Sequence, residues 1–300
     1  MPHVLGIQKY RYNYYMIIKN ANIVLLNKTF KGYVEFDQHR IIRIGAGAVA
    51  DADYDAHGLY LLPAFFDSHT HGGYGFDGNE SASLDYVKKV NRYFANIVKE
   101  GVGSTLMTTV SCSDVDLQDY ANNYPNIKKL DRDNIIKGWY IEGPYLSLAK
   151  KGAHNPKMIR PIDLKTTAYI QRKLPNVVKL LAVAPEYEGN LNKLNKLKKD
   201  YFLTVAHSNA SAAIAEKAFK LGANRVTHLY NQVSGLDHHN PGVIDAAFDN
   251  DTVVCELICD GKHVEPLVIK NTYKILGADR IMVISDSLMT KGFADGAYTV

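Results

Sequence analysis

The alternation of apolar runs and helical stretches predicts an α/β protein: a (β/α)8 barrel of the TIM type, preceded by a small antiparallel sheet. Three observations predict it. From Leu59 onward, eight short apolar runs alternate with helical segments, as in a parallel sheet covered by helices. Several of those runs end in histidine, glutamate or aspartate. Residues 16–58 have another texture, short alternating segments punctuated by Gly32, Gly45 and Gly47, as in a small antiparallel sheet.

The elements follow in order. Residues 1–15 are basic and aromatic without a continuous apolar stretch, so they read as an N-terminal extension rather than a signal peptide. Strand-like sequence begins at Met16, giving a small β domain over 16–58 and a barrel over 59–300. The barrel strands are expected in LYLLPAFFD, STLMTTV, IIKGWYIE, VVKLLAVA, FLTVAH, RVTHLY, TVVCELIC and RIMVISD. Between them, LDYVKKVNRYFANIVKEG and SAAIAEKAFKLGA repeat apolar residues at three and four, and the second ends at Gly222, a helix C-terminal signal. The lysine run in NLNKLNKLKK has leucines at 191, 194 and 197, which predicts an exposed helix with a narrow apolar stripe rather than a nucleic-acid site.

The 300 residues are 46% apolar, enough for one large core and a small satellite, and the net charge is a modest +4. No run approaches the roughly 18 apolar residues that span a bilayer. Three cysteines make no disulfide framework and suit a reducing compartment, so a cytoplasmic protein with no nucleic-acid or membrane partner is expected. Cys255 and Cys259 lie on one apolar run and are expected to be buried.

The chemistry lies at the strand ends. Strand one ends in Asp67-Ser68-His69-Thr70-His71, and side chains two apart on an extended segment point the same way, so His69 and His71 face one point. Strand three ends at Glu142, five at His207, six at His228 and eight at Asp286. A barrel builds its site at those C-terminal ends. Imidazoles and carboxylates converging there predict a Zn²⁺ or Fe²⁺ site, with bound water acidified toward neutrality. Asp286, with no histidine beside it in sequence, is the candidate proton shuttle.

These segments also carry a family resemblance. PAFFDSHTHGGYGFD resembles the first-strand motif of the amidohydrolase superfamily. IEGPYLSLAKKGAHNP, VAHSNA, THLYN, NPGVIDAAFDND, ICDGKHVEP and SDSLMTKGFADGAYTV are similar, in order and spacing, to the N-acetylglucosamine-6-phosphate deacetylases. The resemblance implies a hydrolase that cleaves the acetamide of N-acetylglucosamine 6-phosphate, and it implies a homodimer. It places Glu142, His207 and His228 on the principal metal and Asp286 as the catalytic aspartate. His69 and His71 match a pair that supports a second ion in some members, so one or two ions are expected. His154 matches a substrate-contacting histidine; Asn231, Gln232 and His263 match the part that holds the sugar phosphate.

Three departures stand out. HLYNQV replaces the common HLYNAM or HLFNAM, and His239 stands where the family usually carries a phosphate-binding arginine. An imidazole does not reproduce a bidentate guanidinium, so weaker phosphate preference is expected, with His238, His239 and His263 as the available holders. Val300 follows closely on the eighth strand, where relatives continue into further strands of the small domain, so the resemblance implies that residues 16–58 are an incomplete domain, part of a small β-sandwich whose C-terminal strands are missing. The alternatives are an amidohydrolase for an unphosphorylated N-acetyl amino sugar or a cyclic amide, and a truncated non-catalytic paralogue that binds sugar phosphate. Cyclic amidases of the superfamily often use a carboxylated lysine on strand four, where this chain has Lys179 at the strand's start.

Overall fold

A computed structural model describes residues 15–80 and 85–298; all of the expected extension except Tyr15 lies outside them. The chain forms two compact units, Met1–Ala64 and Phe65–Val300.

The first unit is one five-stranded sheet. Strands β1 (Met16–Leu25), β2 (Lys28–Phe36) and β3 (Ile41–Ala46) pair antiparallel in the order β3-β2-β1. The sheet is mixed rather than purely antiparallel, because β4 (Tyr54–Asp55) and β5 (Tyr60–Leu61) pair parallel to β1. Its core is small: Ala21, Ile23, Val34 and Ala56, with Ile18, Phe30, Phe36 and Leu61 against them. The run expected as the first barrel strand is therefore divided. Tyr60 and Leu61 belong to the small sheet, and the barrel strand starts only at Phe65. Pro63 lies between them, and a residue without an N–H cannot donate to a continuous ladder.

In the second unit, β6 (Phe65–Thr70) is followed by a short hairpin of β7 (Gly72–Gly73) and β8 (Phe76–Asp77). The further strands are β9 (Val102–Thr109), β10 (Ile136–Ile141), β11 (Val178–Val183), β12 (Phe202–Val205), β13 (Ala223–Val226), β14 (Val254–Ile258) and β15 (Ile281–Ile284). They run parallel in the order β6-β9-β10-β11-β12-β13-β14-β15. The seam between first and last strands is bridged by residues just past the end of β15. His71 N donates to Ser287 O at 2.8 Å, Asp286 N to His69 O at 2.9 Å, and Ser285 Oγ to Asp67 Oδ2 at 2.5 Å.

The helices are α1 (Tyr86–Lys99), α2 (Asp114–Leu130), α3 (Leu164–Lys173), α4 (Leu191–Leu197), α5 (Ala212–Lys220), α6 (Val243–Asp249) and α7 (Pro266–Leu276). Helix α2 starts at a capping box in which Ser113 and Asp116 satisfy each other's main-chain N–H. In α4 the leucine stripe buries Leu194 and Leu197, as its spacing predicts. Strand side chains divide by parity. Leu106, Tyr140, Leu180, Ala182 and Ala206 form one cluster, while Met107, Trp139, Ile141, Leu181, Val183 and Val205 join the larger core with the helices. Cys255 is buried within β14, but Cys259, one residue past that strand, is exposed, contrary to expectation. Among the described residues no helix is long and apolar enough to cross a membrane.

Candidate metal centre and active site

Glu142 follows the last residue of β10 and is buried, and five histidines turn a ring nitrogen toward it. His228 Nε2 lies 2.8 Å and His207 Nε2 3.4 Å from Glu142 Oε1. His71 Nε2 lies 3.1 Å and His154 Nε2 3.6 Å from Oε2. His69 Nε2 is 3.6 Å from Oε1. Asp286 Oδ1 completes the group, 3.3 Å from His69 Nε2 and 3.2 Å from His71 Nε2.

The backbone is bent to achieve this. His207, His228 and Asp286 have φ of 42°, 26° and 49°, in the left-handed region that L-residues rarely occupy. A strand that simply continued would alternate its side chains; a left-handed residue at its end breaks that rule and turns the side chain over the mouth. In β6 the register against β9 slips between Asp67 and Thr70, which re-aims the His69–His71 pair. Two glycines allow close approach. At Gly143, φ is 94° and a Cβ would lie 2.1 Å from Ser111 Oγ; at Gly152 it would meet Gln232 Cγ and His207 Cε1 at 3.0 and 3.1 Å.

Each imidazole's other nitrogen tells what the inner one offers. His207 Nδ1 is 2.8 Å from Lys150 O and His228 Nδ1 3.0 Å from Asn231 O. A carbonyl only accepts, so each Nδ1 carries a proton, and in the neutral ring Nε2 is left with its lone pair. His69 Nδ1 faces the Glu256 carboxylate at 3.0 Å, with the same consequence. His154 is reversed. Its Nδ1 accepts from Ser111 N at 3.1 Å, so its proton sits on Nε2, directed at the cluster. Although His154 lies among the groups close enough to hold an ion with Glu142 and His207, it is a donor and not a ligand.

Lone pairs and carboxylates aimed at one point repel unless positive charge stands among them. Burial presses Glu142 toward its neutral form, but His69 above all, with His154, His207 and His228, holds its pKa well below the usual range. Burial likewise disfavours charged His69 and His71, yet Asp286 and Glu142 outweigh it and raise both, His71 to about 9. His207, where burial dominates, is lowered. A divalent cation fits the same need. His69 Nε2 is buried and makes no hydrogen bond, as suits an atom that would ligate a cation. The donor set, imidazole plus carboxylate, suits Zn²⁺ or Fe²⁺.

No family model matches the chain. It is 30% identical over 298 residues to the N-acetylglucosamine-6-phosphate deacetylase of Bacillus subtilis, covering 94% of this chain and 73% of that protein. The chain belongs to the N-acetylglucosamine-6-phosphate deacetylase family. To the N-acetylgalactosamine-6-phosphate deacetylase of Escherichia coli O157:H7 it is 32% identical over 248 residues, 80% of this chain but only 63% of that one. The crystal structure of the Mycobacterium smegmatis N-acetyl-D-glucosamine-6-phosphate deacetylase superposes with a TM-score of 0.87 at 26% identity, over 94% of this chain and 74% of that one. These likenesses establish the amidohydrolase barrel and a hydrolase family.

Of the residues singled out from sequence, the structure brings Glu142, His207, His228, His69, His71, Asp286 and His154 together. Asn231 joins through its carbonyl, on His228, and Gln232 lies beside Gly152 and His207. His239 and His263 are exposed. The His239 ring lies 4.0 Å from His238, and His263 Nδ1 is 2.8 Å from Asp260 Oδ2. No described contact joins either to the cluster.

Glu256 and the Lys150 carbonyl escaped the sequence reading. Glu256 sits inside an apolar run, TVVCELIC, where a lone carboxylate is itself a signal, since such a group is buried only with partners. A main-chain carbonyl leaves no mark in sequence. Lys179 takes no part: its Nζ donates to Leu174 O at 2.6 Å and Val177 O at 2.8 Å, at the other end of the barrel from Glu142. A carboxylated-lysine bridge is therefore excluded at this position.

Proposed function

We propose that the chain is a divalent-metal-dependent deacetylase that hydrolyses N-acetylglucosamine 6-phosphate to glucosamine 6-phosphate and acetate. One observation carries the reading: the buried Nε2 atoms of His69, His207 and His228 gather around Glu142, with Asp286 beside His69, in a member of this family. A mutant of the Mycobacterium smegmatis deacetylase, crystallised in complex with N-acetyl-D-glucosamine 6-phosphate, supports that substrate class.

Glu142, His207 and His228 would hold the principal ion, and His69 and His71 would support a second where one is present. A divalent cation there supplies Lewis acidity for the amide carbonyl and acidifies water. Asp286, partly open to solvent where Glu142 is not, takes the proton from the attacking water and returns it to the leaving nitrogen. His154 directs its Nε2–H at the same point and hydrogen-bonds the substrate there. Gln232, beside Gly152, contributes to the sugar's seat, and His239 and His263 to the phosphate end. Zinc or iron both suit the donors. The free cysteines suit a cytoplasmic setting, and a homodimer is what the sequence resemblance implies.

The test combines metal analysis with acetate release from N-acetylglucosamine 6-phosphate, from N-acetylglucosamine and from a cyclic amide. About one or two ions per chain with turnover only of the phosphorylated sugar is expected. Turnover confined to either other substrate, or a chain free of metal and activity, defeats the reading.

A further inference from the structure

Beneath the cluster lies a carboxylate that the mechanism above does not use. Glu256, central in β14, is 0% exposed. Its Oε2 lies 3.0 Å from His69 Nδ1 and 3.4 Å from the Tyr140 hydroxyl, and its Oε1 3.4 Å from an Arg225 guanidinium nitrogen. Tyr140 is held in turn by Thr227 Oγ1 at 2.5 Å, and Thr227 by Thr204 Oγ1 at 2.8 Å. Arg225 also reaches Met282 Sδ at 3.0 Å, which accepts from Ser68 Oγ at 2.8 Å. This buried layer thus ties β6, β10, β12, β13, β14 and β15 together under the mouth.

A fully buried carboxylate costs several kcal/mol unless paired and hydrogen-bonded, so the fold bears it for some return. Its position indicates what that is. His207 and His228 are oriented by main-chain carbonyls, whereas His69 alone among the described histidines of the cluster has a carboxylate on its outer nitrogen. A carboxylate from the facing strand fills the role that the loops fill for the others.

We infer that Glu256, neutralised by Arg225 and steadied by Tyr140, is a positioning residue: it fixes His69 in the Nδ1–H tautomer and aims its Nε2 lone pair at the divalent cation. The inference rests on the metal-dependent reading above. Outer partners of this kind set ligand orientation, and losing one typically weakens metal binding by about 10- to 100-fold.

The experiment is a Zn²⁺ titration of the full chain against a chromophoric chelator, with Glu256→Leu and Glu256→Gln beside the wild type. Leu removes the acceptor, so Zn²⁺ affinity is expected to fall by about 10- to 100-fold. Gln keeps an oxygen that accepts the Nδ1 proton and is expected to stay within about fivefold of wild type, a rescue that a merely structural role does not produce. Nitrogen-15 histidine NMR of the Zn²⁺-loaded wild type is expected to show His69 protonated at Nδ1, and it reads the inference even where Glu256→Leu does not fold. Wild-type affinity in Glu256→Leu, or an Nε2–H tautomer at His69, overturns it while leaving the metal-dependent reading intact. A wild type that binds no Zn²⁺ defeats both.

Discussion

Lys179 at the start of β11 and Glu142 just past the end of β10 are buried charges on neighbouring strands, at opposite ends of one barrel. The lysine is answered by groups of fixed polarity: two main-chain carbonyls accept from its ammonium, and the Tyr201 ring lies 5.7 Å away. Nothing there asks for a further ion. The glutamate is surrounded instead by imidazoles, two of which direct Nδ1 to main-chain carbonyls and Nε2 to the glutamate, with a second carboxylate on Asp286 nearby. One end closes its electrostatics with the chain's own groups; the other gathers imidazoles and carboxylates of the kind that suit a cation. The difference shows that a buried charge marks function when its neighbours are of the wrong polarity to satisfy it, not merely because it is buried.

The largest effect should come from closing the open end. Glu142→Ala deletes the carboxylate around which the cluster is built, so tight metal binding and acetate release are expected to vanish together. Metal analysis of the purified variant checks it: a full complement of metal with retained fold would mean that Glu142 is not a ligand.

Asp286→Asn should come next. Asn keeps the shape but takes no proton, and losing a general acid–base typically costs about 10² to 10⁴ in rate. The expected result is a kcat lowered by that order, with metal content and KM little changed. Steady-state kinetics with a metal assay decide; kcat within about threefold of wild type would place the proton shuttle elsewhere.

How much of this contrast is legible in the sequence follows from where each partner lies. Glu142, His207, His228, His69, His71 and Asp286 end apolar runs, and period-two reasoning plus the barrel rule brings such residues together. The three left-handed residues at His207, His228 and Asp286 are not legible, because sequence marks that conformation clearly only when glycine supplies it. Nor are the carbonyls of Lys150 and Asn231, since a main-chain acceptor is common to every residue. The division of the 59–67 run between two sheets depends on which ladder Tyr60 and Leu61 join, a tertiary choice that period alone does not make. Cys259 departs from expectation by a single residue, at the point where β14 gives way to an exposed loop.

Lys179→Ala probes the closed end. It removes a buried side chain and strands two carbonyls, which should lower unfolding stability by about 2–4 kcal/mol. The kcat of the folded fraction should be unchanged, because Lys179 contacts no member of the cluster in the described structure. Denaturant midpoints beside kinetics separate the two. A fall in kcat with no loss of stability would show that the ends are coupled and break the contrast.

The smallest effect is expected at the rim. His239 lies in the exposed loop before α6, its main-chain N donating to Asp237 Oδ1 at 2.8 Å and its ring beside that of His238. The family resemblance puts an arginine there, and a planar guanidinium binds a phosphate through two parallel hydrogen bonds where an imidazole offers one. If the rim reads the 6-phosphate, His239→Arg should lower KM for the phosphorylated sugar by about five- to tenfold, the equivalent of roughly one charge-assisted hydrogen bond partly screened by solvent. The kcat should not move, because the substitution is remote from the described cluster, and the KM gain should shrink as salt is raised. KM for unphosphorylated N-acetylglucosamine serves as the control. An equal change for both sugars would assign the effect to loop packing, and no change for either would place the phosphate away from His239.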